Sequence, residues 1–136
     1  MSKTLDVLIK VAERKVEEMQ RQLAATRREI IRIAEHIVEL EREAAVAFVQ
    51  AVAEDDVLAL QAAWAFQERM RREVIVLRGK EDELKVTEGE QQVALQALFA
   101  GQKKYELLLE RQKIEAKKVR AKKVQNQLDE VAGRKR

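Results

Sequence analysis

The sequence predicts an all-α fold, a long antiparallel two-helix coiled-coil hairpin with a C-terminal helical overhang. Three observations predict it. The 136 residues contain no proline, 38% of them are charged and only 4% are aromatic, the profile of long solvated helices rather than a thick-cored globule. Two stretches place apolar residues alternately three and four apart, the spacing of a left-handed coiled-coil seam. Between those stretches lie three consecutive acids, and the segment after them is much longer than the segment before.

The first element is expected over about residues 4–53. From Leu5 the ladder runs through Ile9, Ala12, Val16, Met19, Leu23, Thr26, Ile30, Ile33, Ile37, Leu40, Ala44 and Ala47, and only Thr26 is polar. Thr4 or Ser2 is placed to cap its N-terminus, and Asp6 suits the positive end of the helix dipole. At 1.5 Å per residue this helix is roughly 70 to 75 Å long. The reversal is expected at about residues 52–56, where Glu54, Asp55 and Asp56 precede a fresh apolar run and Asp55 or Asp56 supplies an N-cap. No Gly or Pro marks this turn, which leaves open one unbroken helix pairing with a second chain.

The second helix is expected over about residues 56–132. Its ladder starts at Leu60 and continues through Ala63, Gln67, Met70, Val74, Leu77, Glu81, Leu84, Glu88, Gln91, Leu95, Leu98, Gln102, Tyr105 and Leu109 to Val119. Gly133 reads as a stop before Arg134, Lys135 and Arg136. With a reversal near residue 54, facing residues have numbers summing to about 108 in an antiparallel pair, so Leu5 is expected opposite residue 103. Everything beyond is unpartnered, and its seam declines toward Lys123 and Asn126. The whole, residues 1–136, reads as a single coiled-coil domain, monomeric if the seam closes within the chain.

Helix two is weakest between Gly79 and Gln92, where Glu81, Glu88 and Gln91 occupy the seam. Each interior Gly costs about 1 kcal/mol against Ala, and a carboxylate forgoes the roughly 1.5 to 3 kcal/mol that a buried leucine contributes. Arg21, Arg27 and Arg28 are expected to face these acids. The segment is either a wet layer that fixes register or a functional bend.

Charge is unevenly spread. Residues 1–102 hold 15 Lys/Arg and 19 Asp/Glu, whereas 103–136 hold 12 and 5. The basic run includes Lys113, Lys117, Lys118, Arg120, Lys122 and Lys123. It is a solvated face, a protein-docking surface or, through phosphates, a nucleic-acid or anionic-membrane surface. It lacks interleaved aromatics, so nucleic acid is not the expected partner. The apolar residues around the turn, Phe48, Val49, Val52, Val57, Leu58, Trp64 and Phe66, include the only Trp. They either fold into a local cluster or present a patch for a partner.

The inventory for catalysis is small: one His, one Ser, three Thr and no Cys, with no phosphate-cradling glycine loop. General acid–base chemistry needs a concave, desolvated site, which two helices do not enclose. His36 is expected as a flanking, solvated side chain, and no catalytic, cofactor or metal site is expected. No apolar run approaches the ~20 residues needed to span a bilayer, and the cysteine-free composition and leaderless N-terminus fit a cytoplasmic protein.

The opening Leu5-Asp6-Val7-Leu8, then Arg14 to Leu23, resembles the start of the FliJ proteins of bacterial flagellar type III export. Lys103 to Lys113, with Gln127 to Ala132 and a basic terminus, is similar to that family's close. Residues 45–75 carry no matching motif. The resemblance implies a non-catalytic stalk, similar to the central shaft of rotary ATP synthases, that binds a hexameric export ATPase, the cytoplasmic domain of the export-gate membrane protein and export chaperones. It implies that Leu5 to Met19 and Tyr105 to Val131 enter the ATPase ring, and that a tip bearing Phe48, Trp64, Phe66 and Met70 faces the gate. It also implies a location at the cytoplasmic face of the inner membrane, reached through partners only. The injectisome stalk shares this layout, and a homo-oligomeric coiled-coil scaffold or tether is the alternative of a different class.

Overall fold

The computed structural model describes residues 2–134, except for the side chain of Ser2. It consists of α1, Ser2–Glu54, and α2, Val57–Arg134, which pack against each other. Packing divides the chain into two units. One is Met19–Val93; the other is Met1–Glu18 with Ala94–Arg136.

The unit Met19–Val93 contains the reversal, which is made by two aspartates with different tasks. Asp55 adopts a left-handed backbone, φ 49°, and its N–H donates to the Val52 carbonyl at 3.2 Å. This is the position usually given to Gly at a helix C-terminus, and Asp tolerates it better than most residues. Asp56 is the N-cap of α2: its Oδ1 accepts from the Leu58 N–H at 3.1 Å, and its carbonyl accepts the Leu60 N–H at 3.0 Å.

Behind the turn, Leu23, Thr26, Ile33, Ile37, Leu40 and Ala51 of α1 are buried against α2, which buries Ala63 and Val74. Met70, Leu77 and Leu84 are half-buried over Ile33, Ile37, Leu40 and Val74. Met19, Ile30, Ala44 and Ala47 are half-buried as well, so every rung of the α1 ladder in this unit is covered. The best-covered large side chains, Leu23 and Leu40, still keep 5% and 6% of their surface, because a seam between two helices has no third wall. α1 supplies most of the buried side chains because its ladder is almost wholly apolar, whereas that of α2 alternates apolar groups with Gln67, Glu81, Glu88 and Gln91.

In the other unit, Ala12 and Val16 are buried and Leu5 and Ile9 half-buried, as are Leu95, Leu98, Tyr105 and Leu109 of α2. The register differs from the one the sequence predicts. Leu5 lies beside Leu108 and Gln112 rather than residue 103, and in the Met19–Val93 unit Thr26 meets Gln91. The reversal is centred on Asp55 and Asp56 instead of 54; each residue of displacement at a turn moves the facing partner by two, which accounts for part of the difference and leaves the rest to the stagger of the helices. The overhang is correspondingly shorter, but real: every described residue from Glu110 to Arg134 is exposed.

The helix ends also differ from expectation. α1 already includes Ser2, so Thr4 sits inside the helix and does not cap it. No acid lies in its first turn, which puts Asp6 beyond the reach of the end charges that would favour it. α2 continues through Gly133 to Arg134. A lone exposed Gly weakens a helix without ending it unless the backbone turns left-handed there, and no glycine does so. Lys135 and Arg136 lie outside the described residues.

Candidate functional site

The seam contains one polar layer with a defined geometry. Thr26 is buried, and its hydroxyl lies 3.0 Å from the Gln22 carbonyl and 2.7 Å from Gln91 Oε1 on the opposite helix. One turn away, Arg27 Nε donates to Glu88 Oε2 at 3.3 Å. Arg27 is therefore the arginine that meets Glu88, whereas Glu81 pairs along its own helix with Lys85 at 3.2 Å. A further bridge between the helices, Arg78 to Glu41 at 2.9 Å, is exposed on both sides and contributes little beyond orientation. No buried side-chain polar atom among the described residues lacks a partner. Such a layer costs less than a bare carboxylate and resists sliding of one helix along the other.

The described residues gather no group of three or more His, Cys, Asp or Glu at metal-binding distance. His36 is exposed, at an open groove with Glu29, Arg32, Leu77 and Lys80. Within the described residues, neither helix is long and apolar enough to cross a membrane. Two regions of the surface stand out.

The first region surrounds the turn. Phe48 and Trp64 meet edge to face, ring centroids 6.1 Å apart at 89°, and the Arg69 guanidinium lies 5.8 Å over the half-buried Phe66 ring. The aromatics make local contacts, yet Trp64 remains 62% exposed, Val52 53% and Leu58 73%. Val49 and Val57 add to this apolar surface, which carries the exposed acids Glu54, Asp55 and Asp56. Met70 sits in the seam instead, packed against the buried isoleucines.

The second region is the end of α2. Lys113, Lys117, Lys118, Arg120, Lys122 and Lys123 are all exposed, and among their described contacts is only a long 3.9 Å approach of Lys118 to Glu115. The apolar groups here do not decline as the ladder from Leu60 suggests; they change face. Leu107, Ile114, Ala121, Val124, Leu128 and Val131 repeat the 4-3 spacing on a different side of the helix, with Glu110 and Lys117 at the two remaining rungs. Leu107 is 51% exposed and Leu128 59%. Counting the spacing from every starting residue, instead of extending one ladder, reveals this second stripe in the sequence. The run Leu107-Leu108-Leu109 is where one face hands over to the other.

Searches of curated proteins and of solved structures returned no match to this chain. A family model described as the flagellar FliJ protein matches residues 1–135. That span includes residues 45–75, for which no motif is recognisable by inspection. The match falls on the flagellar family, whose members are components of the flagellar export apparatus, and this chain belongs to the FliJ family.

Proposed function

We propose that the protein is a non-catalytic stalk that docks its α2 overhang in a hexameric export ATPase and couples that enzyme to the export gate and to export chaperones. The supporting observation is the overhang itself: a continuous helix, exposed from Glu110 to Arg134, basic and carrying an uncovered apolar stripe. An isolated helix buries too little surface to hold itself against water, so a helix of this composition is best suited to docking against another protein. The exposed apolar surface at the turn, with Val52, Leu58 and Trp64, serves as the second contact, the gate being its partner. In this reading the protein works in the cytoplasm and reaches the inner membrane through its partners, as a monomer whose seam closes within the chain.

The test is the rate of ATP hydrolysis by the export ATPase of the same organism during titration with this protein. Truncation after Gln112 is the informative variant, because Leu5 packs beside Leu108 and Gln112 and a shorter chain would also uncover α1. Saturation near one chain per hexamer, with stimulation that the truncation loses, is the expected result. An unchanged rate, with a solution mass that doubles at working concentration, would contradict it and favour the homo-oligomeric scaffold.

A further inference from the structure

The second stripe of α2 carries an identifiable charge frame. With Leu107, Ile114, Ala121 and Leu128 as one set of rungs and Val124 and Val131 in the other, the positions that border the stripe follow from helix geometry. On one side they are Arg111, Lys118, Gln125 and Ala132; on the other, Lys113, Arg120, Gln127 and Arg134. Five of the eight are basic and none is acidic. Of the acids nearby, Glu110 sits on a rung of the stripe, Glu106 borders only its first residue, and Glu115, Asp129 and Glu130 lie away from the borders.

This frame discriminates between occupants. A second copy of the chain, laid along the stripe in either direction, would bring bordering Lys and Arg against bordering Lys and Arg, and like charges at these positions oppose pairing. A helix with acidic borders meets the same positions with opposite charge. The stripe is also narrow, one seam wide, so it fits one helix and not a layer. Glu110 and Lys117, which interrupt the apolar rungs, weaken the pairing and favour an exchangeable contact over a permanent one.

We infer that the exposed stripe Leu107–Ile114–Ala121–Val124–Leu128–Val131 takes a single amphipathic α-helix of another protein, one whose seam is bordered by Asp or Glu. This rests on the docking role proposed for the overhang and names the chemistry of what it receives. The overhang is then one-sided: its stripe and borders make the contact, while Ala116, Val119, Lys122 and Lys123 do not.

The experiment uses the full chain and a labelled synthetic helix of about four heptads, Leu at the seam and Glu at both borders, with a Lys-bordered version as the control. Fluorescence anisotropy reads binding, and circular dichroism checks that each variant keeps its helicity. The Glu-bordered peptide is expected to bind and the Lys-bordered one not. The paired variants K118E/R120E and K122E/K123E carry the same charge change; the first is expected to weaken binding about tenfold or more, the second less than about threefold, as contacts and non-contacts differ. I114Q/L128Q should match the first and A116Q/V119Q the second.

Equal losses from the two charge pairs would overturn the inference, since they would mean general attraction to a basic rod. Dimerisation of the full chain that L128Q abolishes would overturn it in favour of a second copy. The same variants placed in the ATPase titration separate this inference from the reading beneath it. If truncation after Gln112 loses stimulation but I114Q/L128Q does not, the docking role stands and the stripe is not its means. If the peptides discriminate as expected and the ATPase does not respond, the stripe is supported and the named partner is wrong.

Discussion

α2 carries two apolar ladders of identical spacing, and they end up in opposite environments. From Leu60 to Leu109 every rung is buried or half-buried, including the polar ones, whereas Ile114, Val124, Leu128 and Val131 are all exposed. Intrinsic helicity does not separate them, because the helix runs unbroken through both. The difference lies in α1, whose 53 residues cannot cover the 78 of α2. Spacing decides which face of a helix is apolar; the length of the neighbour decides whether that face is covered. The covered ladder supports the fold, and the uncovered one is available to a partner.

The sharpest way to break this comparison is to truncate one side chain on each ladder. Ile37→Ala removes atoms from a side chain only 7% exposed, in the buried cluster with Ile33, Leu40 and Val74, and is expected to cost about 2 to 4 kcal/mol. Leu128→Ala, at 59% exposure, should change stability by less than about 0.5 kcal/mol. Urea denaturation of the two variants measures both. Similar losses would mean that the second stripe is covered in the free protein.

The turn that ends the first helix offers the next effect. Asp56→Ala removes the acceptor of the Leu58 N–H and should lower stability by about 1 kcal/mol, read as a shift in the thermal midpoint. Placing the reversal at these aspartates was possible from the sequence because three acids precede a new apolar run. Their division of labour was not, since Asp55 takes the left-handed backbone that sequence rules assign first to Gly.

Both ladders of the paired region were legible for a simple reason: period is a local property, and Leu5 through Leu40 state it with Thr26 as the one polar rung. Register was less legible because no local pattern states how one helix slides along the other: Leu5 lies in the vicinity of Leu108 and Gln112 rather than opposite residue 103. The second stripe was missed for a different reason. Following one ladder past Leu109 leads onto Lys123 and Asn126, so the helix looks polar unless the count restarts at Leu107. At the tip, composition identified the exposed residues, but the Phe48–Trp64 contact joins two helices and no local pattern encodes it.

The glycines sharpen the comparison at smaller amplitude. A Cβ at Gly89 or Gly133 meets nothing within 4 Å, so Ala is accommodated at both. Gly89→Ala, in the paired region, should raise global stability by about 0.5 to 1 kcal/mol. Gly133→Ala should increase helicity by circular dichroism and leave the urea midpoint unchanged, because the overhang frays without unfolding the seam.

The smallest effect concerns pH. The hydrogen bond from Arg42 holds the Glu39 carboxyl below its ordinary value against an opposing desolvation, with Arg42's charge adding a smaller lowering. A carboxyl lowered in the folded state contributes stability above its unfolded value and loses it as pH falls through the lowered one. The difference in thermal midpoint between the parent and Glu39→Gln should therefore be present at neutral pH and disappear in acid. The pair is fully exposed, so the shift should also shrink in high salt.

Amide hydrogen exchange of the free protein at two concentrations tests the central claim most directly. If α1 covers α2 within one chain and stops beside Leu108 and Gln112, amides of residues 60–109 should exchange slowly and those of 114–134 by orders of magnitude faster, at rates that do not depend on concentration. Protection of 114–134 equal to that of 60–109, rising with concentration, would contradict it and show that the stripe is already occupied by a second copy.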